Sequence, residues 1–381
     1  MSLISHPGRR LFLGSLASLT AACTASAWAQ GPRLAANASP LALAQIADMS
    51  AGQIDVTKDF LVGARAAWQD INAKGGLRGR PIQHMTLEVD GSAASLRQAV
   101  ESLKNQPQVL ALLGTVGDRA ASQVTDLLPR HMPDIAHVAP WLQNAKASGS
   151  GNTFAIFASR QEQITHAVRS LSVMGVAELG AVYASPAEYA TYRNDVEETA
   201  AALKLRLRSY GPVADLQQLG RTLSPDSPRI LIFLGGTPEL LQFPQGIDKQ
   251  AAQRYIIAMS DVNLQALQQM GLSRHAPVIA TQVVPLINSP APVVKAYRDT
   301  LARLFDEPPT PQSLAGFIAA RYSYEVLAAL EYTPTRANVL QAFARRAVVD
   351  VGGLRIDPDL RRKSSAFVTQ SMISSDGRLV G

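Results

Sequence analysis

Ile71-Asn72-Ala73-Lys74-Gly75-Gly76-Leu77-Arg78-Gly79-Arg80-Pro81-Ile82 is the stretch that decides how this chain folds. On its N-terminal side Phe60, Leu61, Ala64, Ala67, Trp68 and Ile71 recur at helical spacing, and Lys74-Gly75-Gly76 ends that helix. On its C-terminal side Met85-Thr86-Leu87-Glu88-Val89 has strand character. Before the helix, Leu41–Ala47 is a short apolar run of the kind a buried parallel strand makes. Strand, helix and strand in one segment form a βαβ unit, whose crossover is right-handed. The glycines invite a second reading, a loop whose backbone N–H groups cradle a phosphate. Such a loop follows a strand and opens a helix, whereas this one follows a helix and precedes a strand. A capped helix end and a tight turn account for it without a ligand.

The same alternation runs through most of the chain. Helix Ala93–Leu103, strand Val109–Leu113, helix Arg119–Leu128 closed by Pro129, and strand Ile135–Ala139 stopped by Pro140 follow in turn. Strand Phe154–Phe157, helix Gln163–Met174, strand Glu178–Ala184 and helix Glu188–Leu203 repeat the pattern. Strands Ile230–Leu234, Ile256–Met259 and Val278–Val284, with helix Leu264–Met270, extend it. From Val293 through Ala329 the pattern is helical, and again over Val339–Arg345. Gly353–Ile356, a β-like run Ala366–Ile373 and the turn Ser374-Ser375-Asp376-Gly377 close the chain. The expected class is α/β with parallel central sheets.

Of the 381 residues 47% are hydrophobic and 17% charged, which excludes a disordered chain. Residues 1–29 carry Arg9 and Arg10, no acid, the apolar run Leu11–Leu19 and the small-residue end Ala27-Trp28-Ala29. That is an export leader, too short to span a bilayer as a stable anchor. Gly8-Arg9-Arg10-Leu11-Phe12-Leu13 is similar to the twin-arginine export motif; an ordinary secretory signal is the alternative. Cys23 is the only cysteine, and Leu19-Thr20-Ala21-Ala22-Cys23 loosely resembles a lipobox with Thr20 where leucine is usual, so lipid anchoring stays open. Cleavage after Ala29 leaves no cysteine, hence no disulfide, thiolate ligand or thiol nucleophile. The remaining chain of about 350 residues exceeds one hydrophobic core, so two domains are expected. Net charge falls from +6 to +4 as Arg9 and Arg10 leave. The other basic residues are dispersed, and Arg361-Arg362-Lys363 lacks interleaved aromatics, so no nucleic-acid partner is expected. No nucleophile elbow, metalloprotease or phosphate-loop motif occurs, and His131 and His137 are wrongly spaced for one metal. No cofactor and no metal are expected.

Several stretches resemble the leucine-binding-protein family, the type I periplasmic solute-binding proteins. Residues 71–82 match that family's helix-to-strand stretch "iNaaGGinGrkI", and Val89-Asp90-Gly91 its "DDg". Val109–Gly114, Ala187-Glu188-Tyr189-Ala190, Val284-Pro285, Val293–Tyr297, Ala315–Arg321, Val351–Asp357 and Asp376-Gly377-Arg378 fall in the family's order. The resemblance spans residues 41–380 and implies two Rossmann-like lobes joined by three crossovers, near Phe157, Pro285 and Gly352. It assigns 31–156 with 285–350 to the N-terminal lobe and 157–284 with 351–381 to the other. Ligand is then expected in the inter-lobe cleft, at the carboxyl ends of the strands.

The resemblance also carries over site residues. It places one first-lobe loop at Thr115-Val116-Gly117-Asp118 and another at Val138-Ala139-Pro140-Trp141, with second-lobe contacts at Thr237 and Ser260-Asp261 and the cleft tyrosine at Tyr189. The family's usual serine falls near Asp118, its threonine near Pro140 and its first-loop aromatic near Val56. An aspartate repels a carboxylate and a proline donates nothing, so these departures argue against a standard branched-chain amino acid. Trp141 either stacks on a flat ligand or fills core; Asp118 and Asp261 favour a cationic or hydroxyl-rich group, with Asp118 as a cap of the helix from Arg119 the alternative. The leading functional expectation is a monomeric transport receptor in the periplasm, delivering a small molecule to the permease of an ABC importer. A sensing subunit of the same fold and an exported hydrolase are the alternatives.

Overall fold

The computed structural model describes residues 39–144, 151–173, 175–247, 252–271, 276–358, 367–373 and 379–380. The leader, Cys23, the Arg361-Arg362-Lys363 cluster and the Ser374–Gly377 turn lie outside the described residues. The chain opens with β1 (Leu41–Asp48), α1 (Ile54–Ala73), β2 (Ile82–Val89), α2 (Ala93–Lys104), β3 (Val109–Leu113), α3 (Asp118–His131), β4 (Ala136–Val138) and β5 (Thr153–Phe154). These strands form one parallel sheet in the order β2-β1-β3-β4-β5. Next come α4 (Arg160–Val173), β6 (Glu178–Tyr183), α5 (Pro186–Ala202), β7 (Arg206–Tyr210) and α6 (Leu216–Thr222). β8 (Ile230–Leu234), α7 (Thr237–Ile247), β9 (Tyr255–Ala258), α8 (Leu264–Gln269) and β10 (Val278–Gln282) complete that run. The chain then returns through α9 (Pro292–Leu304), α10 (Pro311–Ala328), α11 (Arg336–Ala344) and the hairpin β11 (Val349–Val351) with β12 (Leu354–Ile356). It ends in β13 (Thr369–Ile373) and β14 (Leu379–Val380), antiparallel edges of a second sheet ordered β14-β13-β10-β9-β8-β6-β7. The result is two α/β lobes.

The decisive stretch folds as a capped turn. Gly75 and Gly76 adopt φ of 106° and 65°, and the Gly76 N–H donates to Ile71 O at 2.9 Å, closing α1. Asn72 then behaves as a strand neighbour: its Nδ2 donates to Ile82 O and its Oδ1 accepts from Ile82 N, both at 2.8 Å. The helix end therefore sets where β2 begins.

α9, α10 and α11 belong with the first sheet, because Val294, Tyr297, Phe317, Val339 and Phe343 share a core with Phe60 and Trp68. Pro308 and Pro309 break the helical run expected from Val293 through Ala329, since neither can continue the ladder of N–H donors. Conversely, α3 passes Pro129 to reach His131, a proline in the last turn losing only one helical hydrogen bond. The hairpin also packs on the first lobe, with Val351 and Ile356 in its core and Val293 N bonded to Gly352 O at 2.8 Å. The third crossing therefore lies after Ile356, not near Gly352 as the family resemblance implies.

α1 and α10 cross backbone to backbone. A Cβ on Gly63 would overlap Ser313 O, and one on Gly316 would overlap Phe60 O. Buried Asp70 adds an ionic tie, reaching Lys74 at 2.6 Å and Arg303 of α9 at 2.7 Å. Gly316→Ala is expected to cost about 3 kcal/mol by overpacking, whereas Gly151→Ala, whose Cβ meets nothing within 4 Å, changes little. The midpoint of denaturant unfolding measures both, and equal midpoints would show that the helices tolerate wider spacing.

Candidate functional site

Strand order locates the site before any side chain is considered. In the first sheet β2 and β3 flank β1, and in the second β7 and β8 flank β6. Connections leave each of those points toward opposite faces, which opens a crevice outside the carboxyl ends of the strands. On the first lobe the segments there are 49–53, 114–117 and 139–144; on the second they are 184–185, 235–236 and 259–263.

These segments meet. A Cβ on Gly236 would lie 3.6 Å from Gly52 O. Tyr192 OH donates to Asp118 Oδ2 at 3.1 Å, and Gln312 Nε2 donates to the carbonyls of Ser260 and Val262 at 3.0 and 3.2 Å. Asn263 Nδ2 donates to Asp59 Oδ2 at 3.0 Å. The lobes are closed on one another.

Arg160, three residues beyond Phe157, lies at the centre of this junction and is 2% exposed. Its backbone N donates to Gln143 O at 2.8 Å, which fixes the start of α4 against the first lobe. Nε reaches Gln143 Oε1 at 3.3 Å, Nη1 reaches Glu188 Oε2 at 3.0 Å and Nη2 reaches Asp261 Oδ2 at 2.6 Å. The guanidinium also lies 4.6 Å from the centre of the Tyr192 ring. Asp118 stands beside it, its Oδ1 accepting from the backbone N–H groups of Gln143 and Asn144 at 2.6 and 3.0 Å. Gln163 completes the floor: Nε2 donates to Gln143 Oε1, and Oε1 accepts from Ser260 N at 2.9 Å and Thr281 Oγ1 at 2.8 Å.

Charge here is finely opposed. Burial alone disfavours the guanidinium, but Asp261, then Tyr192, Glu188 and Asp118, hold its pKa well above the ordinary value. Burial pushes the carboxyls of Asp261 and Glu188 up, with Arg160 offsetting only part of that. Around the same junction Asp261 Oδ1, Ser260 Oγ, Gln143 Nε2, Gln312 Oε1 and Trp141 Nε1 are buried without a hydrogen-bond partner. Each such group costs about 1–3 kcal/mol. The first four belong to residues linked to one another through Arg160, Gln163 and the Ser260 backbone.

The residues expected from sequence distribute unevenly. Asp118, Ser260 and Asp261 come together at the junction. Thr237 is buried beside it, its Oγ1 accepting from Asn263 N at 2.9 Å. Pro140 is buried and follows Ala139, whose φ of 48° turns the chain sharply out of β4. Trp141 packs among Phe60 and Phe157, with ring centroids 5.9 and 5.4 Å away, and fills core. Val56 also lies in that core. Asp118 does not cap α3; Gly117 stands at the cap, and the Asp118 carboxylate bonds the 143–144 loop instead. Tyr189 packs edge-on against Tyr183 at 5.1 Å, and its OH accepts from Arg193. The tyrosine that crosses to the first lobe is Tyr192. Arg160, Gln143, Glu188 and Gln312 were not anticipated. His131 pairs with Glu101, whereas His137 is buried between Thr115 and Thr153, so the two do not meet. Among the described residues no group of His, Cys, Asp and Glu is arranged to hold a metal ion.

A separate cavity of about 260 Å³ opens on the flank of the junction, lined by Asp55, Lys58 and Asp59 of α1, Asn263 of the second lobe, Glu307 and Thr310. Burial, with Glu307 and Asp55 adding to it, raises the Asp59 carboxyl to about 6 against the hydrogen bonds of Thr310 and Asn263.

Residues 40–374 match the family described as periplasmic binding protein. A comparison with curated proteins found no match. Solved structures with the same fold include an extracellular ligand-binding receptor from Verminephrobacter eiseniae, at 18% identity and TM-score 0.80. The alignment covers 90% of this chain and 100% of that one. A substrate-binding periplasmic protein from Ralstonia solanacearum aligns at 21% identity and TM-score 0.78, covering 89% and 99%. The branched-chain amino acid transporter substrate binding protein of Streptococcus pneumoniae, in complex with isoleucine, aligns at 13% identity and TM-score 0.75, covering 90% and 98%. At these identities the likeness speaks for the fold.

Two outcomes follow from the geometry. Arg160→Met leaves Asp261 buried without its cation and is expected to cost about 3–5 kcal/mol, read as a lower unfolding midpoint. An unchanged midpoint would place the guanidinium outside the junction's energetics. Asp59 acts with the opposite sign to a salt-bridged acid. Its pKa in the folded protein is raised from 3.8 to about 6, so its contribution to stability is full below 3.8 and is lost as pH rises through about 6. The slope within that window is about 1.4 kcal/mol per pH unit. Asp59→Asn is expected to remove that slope from a profile of melting temperature against pH.

Proposed function

The chain belongs to the periplasmic binding protein family, and from that premise we propose that it captures a small organic solute between its lobes and delivers it to an ABC importer. The family is made of substrate-binding proteins, which are not enzymes, and its members are typically exported to the periplasm. No helix among the described residues is long and apolar enough to cross a membrane. We assign the leader at 1–29 to export of this chain and its partner to the importer's permease, with the chain acting as a monomer.

One observation carries the reading: buried polar atoms of both lobes converge at the two strand-order reversals without protein partners. A folded core rarely keeps such atoms unless something else satisfies them. Gln143 presents a donor from the first lobe, Asp261 an acceptor from the second, and Ser260 Oγ serves as either. We assign these, with Gln312, as the solute's polar contacts, and Tyr192–Asp118 and Asn263–Asp59 as the contacts that hold the lobes shut. A branched-chain amino acid fits poorly. The backbone N–H groups of Gln143 and Asn144 are already bonded to the chain's own Asp118.

Ser260→Ala separates binding from folding, because Ser260 Oγ makes no hydrogen bond within the protein. Removing it is expected to leave the melting temperature unchanged or raise it, while solute affinity falls at least tenfold. The solute is found by native mass spectrometry of protein purified from its host's periplasm, followed by thermal-shift screening, where the shift grows as RT ln(1 + [L]/Kd). A Ser260→Ala protein with undiminished affinity would put the solute elsewhere. A broad panel with no bound mass and no shift would defeat the solute-binding reading.

A further inference from the structure

We propose that the Asp59–Asn263 contact is a proton-gated latch, so that the lobes close more readily when Asp59 carries a proton. The inference rests on the reading that the lobes part and close around a solute, and it assigns a regulator to that motion. Asp59 lies on α1 of the first lobe, and its Oδ2 accepts from Asn263 Nδ2 of the second at 3.0 Å. Asn263 is fixed in that pose. Its Oδ1 caps α8 by accepting from the N–H groups of Gln265 and Ala266 at 3.0 and 3.1 Å, and its own N–H donates to Thr237 Oγ1 at 2.9 Å. The amide therefore offers Asp59 only a donor. A protonated carboxyl still has a carbonyl oxygen to accept that bond, so protonation keeps the latch and removes the charge from it.

The surroundings disfavour that charge. Asp55 and Lys58 of α1 and Glu307 of the segment before α10 line the same cavity, two acids against one base. Thr310, the cap of α10, bonds the Asp59 carboxyl. Tyr297 of α9 also faces it, but burial holds that phenol up at about 12 and so neutral. What closure adds is Gln265, Ala266 and Gln269 of the second lobe, which line the cavity without a charged group. Closing thus withdraws water from a carboxylate with two acids beside it and returns one neutral hydrogen bond. Burial, with Glu307 and Asp55 adding to it, outweighs the bonds from Thr310 and Asn263 and holds the closed-state carboxyl at about 6 against the ordinary 3.8. Parting the lobes uncovers the cavity and brings the carboxyl back toward the lower value. A group whose pKa is higher in the closed state favours closure in acid, and that contribution is lost as pH rises through about 6. Solute affinity therefore strengthens as pH falls through that window.

The test needs no solute. In purified protein with isotopically labelled aspartate carboxyl carbons, the Asp59 resonance is assigned by its absence from Asp59→Asn or Asp59→Glu. Its pH titration is then followed while small-angle scattering reports how far the lobes stand apart. Gly236→Trp serves as a wedge, because a Cβ on Gly236 already lies 3.6 Å from Gly52 O across the cleft. Gly52→Trp is the second wedge, since a Cβ there meets nothing within 4 Å. Asp59 is expected to titrate near 6 in the unaltered chain and at least one pH unit lower in an expanded wedge variant. By linkage that shift is a change of about tenfold or more in the closing equilibrium between acid and neutral pH. Because the resonance is Asp59's own, the Asp261 and Glu188 carboxyls, also raised by burial, do not enter. An Asp59 with the ordinary carboxylate value, or one that titrates alike in closed and expanded chains, overturns the latch. So does scattering that shows no expansion in either wedge variant, since a proton then has no open state to bias. The thermal-shift screen decides solute binding separately: a solute that binds a chain with an unshifted Asp59 leaves that reading intact and removes only the latch.

Discussion

The junction depends on one buried guanidinium. Arg160 enters at the first crossover, is bonded through its backbone to one lobe, and reaches two acids of the other with its side chain. Buried ion pairs are poor sources of net stability, because desolvation of both partners consumes most of the attraction. What Arg160 supplies is position. It fixes where Glu188 and Asp261 point, and through Gln143 it ties those acids to the loop that holds Asp118. The electrostatic character of the cleft is therefore set by protein groups acting on one another.

The fold was legible because it rests on short-range signals. Apolar runs, helical periodicity and glycine stops each report on a few neighbours, and together they specify parallel sheets. Five elements escaped this reading: the short strands β11 and β14, and β7, α6 and α7. β7 is an edge strand whose Arg206, Arg208 and Ser209 look polar, since only one side of an edge is paired and little of it is buried. α7 contains Pro244 and Gly246, and α6 contains Gly220, residues that normally argue against a helix. The two glycines are required because the helices approach closely, a Cβ on Gly246 overlapping Gln217 O and one on Gly220 overlapping Phe243 O. Local propensity is overruled there by a packing demand from outside the local window.

The site was less legible, for a rotational reason. The resemblance placed Tyr189 of α5 at the cleft, whereas the tyrosine of that helix that reaches the first lobe is Tyr192. Ser185 caps that helix by accepting from Glu188 N, which sets its phase. Glu188 and Tyr192 lie four residues apart and share the face turned to Arg160, while Tyr189 shares a different face with Arg193. Arg160 was hidden for a different reason: a lone arginine after a crossover carries no motif, and its partners come from 17 to 101 residues away.

Asp118 shows how a carboxylate sets the logic of a cleft. Where a hydroxyl would leave the N–H groups of the facing loop available, a carboxylate takes them both and binds the opposing tyrosine as well. The interaction that would hold an incoming anion becomes an interaction that holds the lobes to each other. The chain closes through its own charges, and on the proposed function selectivity passes to the atoms those charges leave unmatched. Asp261 Oδ1, Ser260 Oγ and Gln143 Nε2 are few, buried and directional. Under the proposed function, a solute lacking the complementary groups leaves each of them at a desolvation cost of about 1–3 kcal/mol, so discrimination arises from penalties against wrong solutes as much as from attraction to the right one.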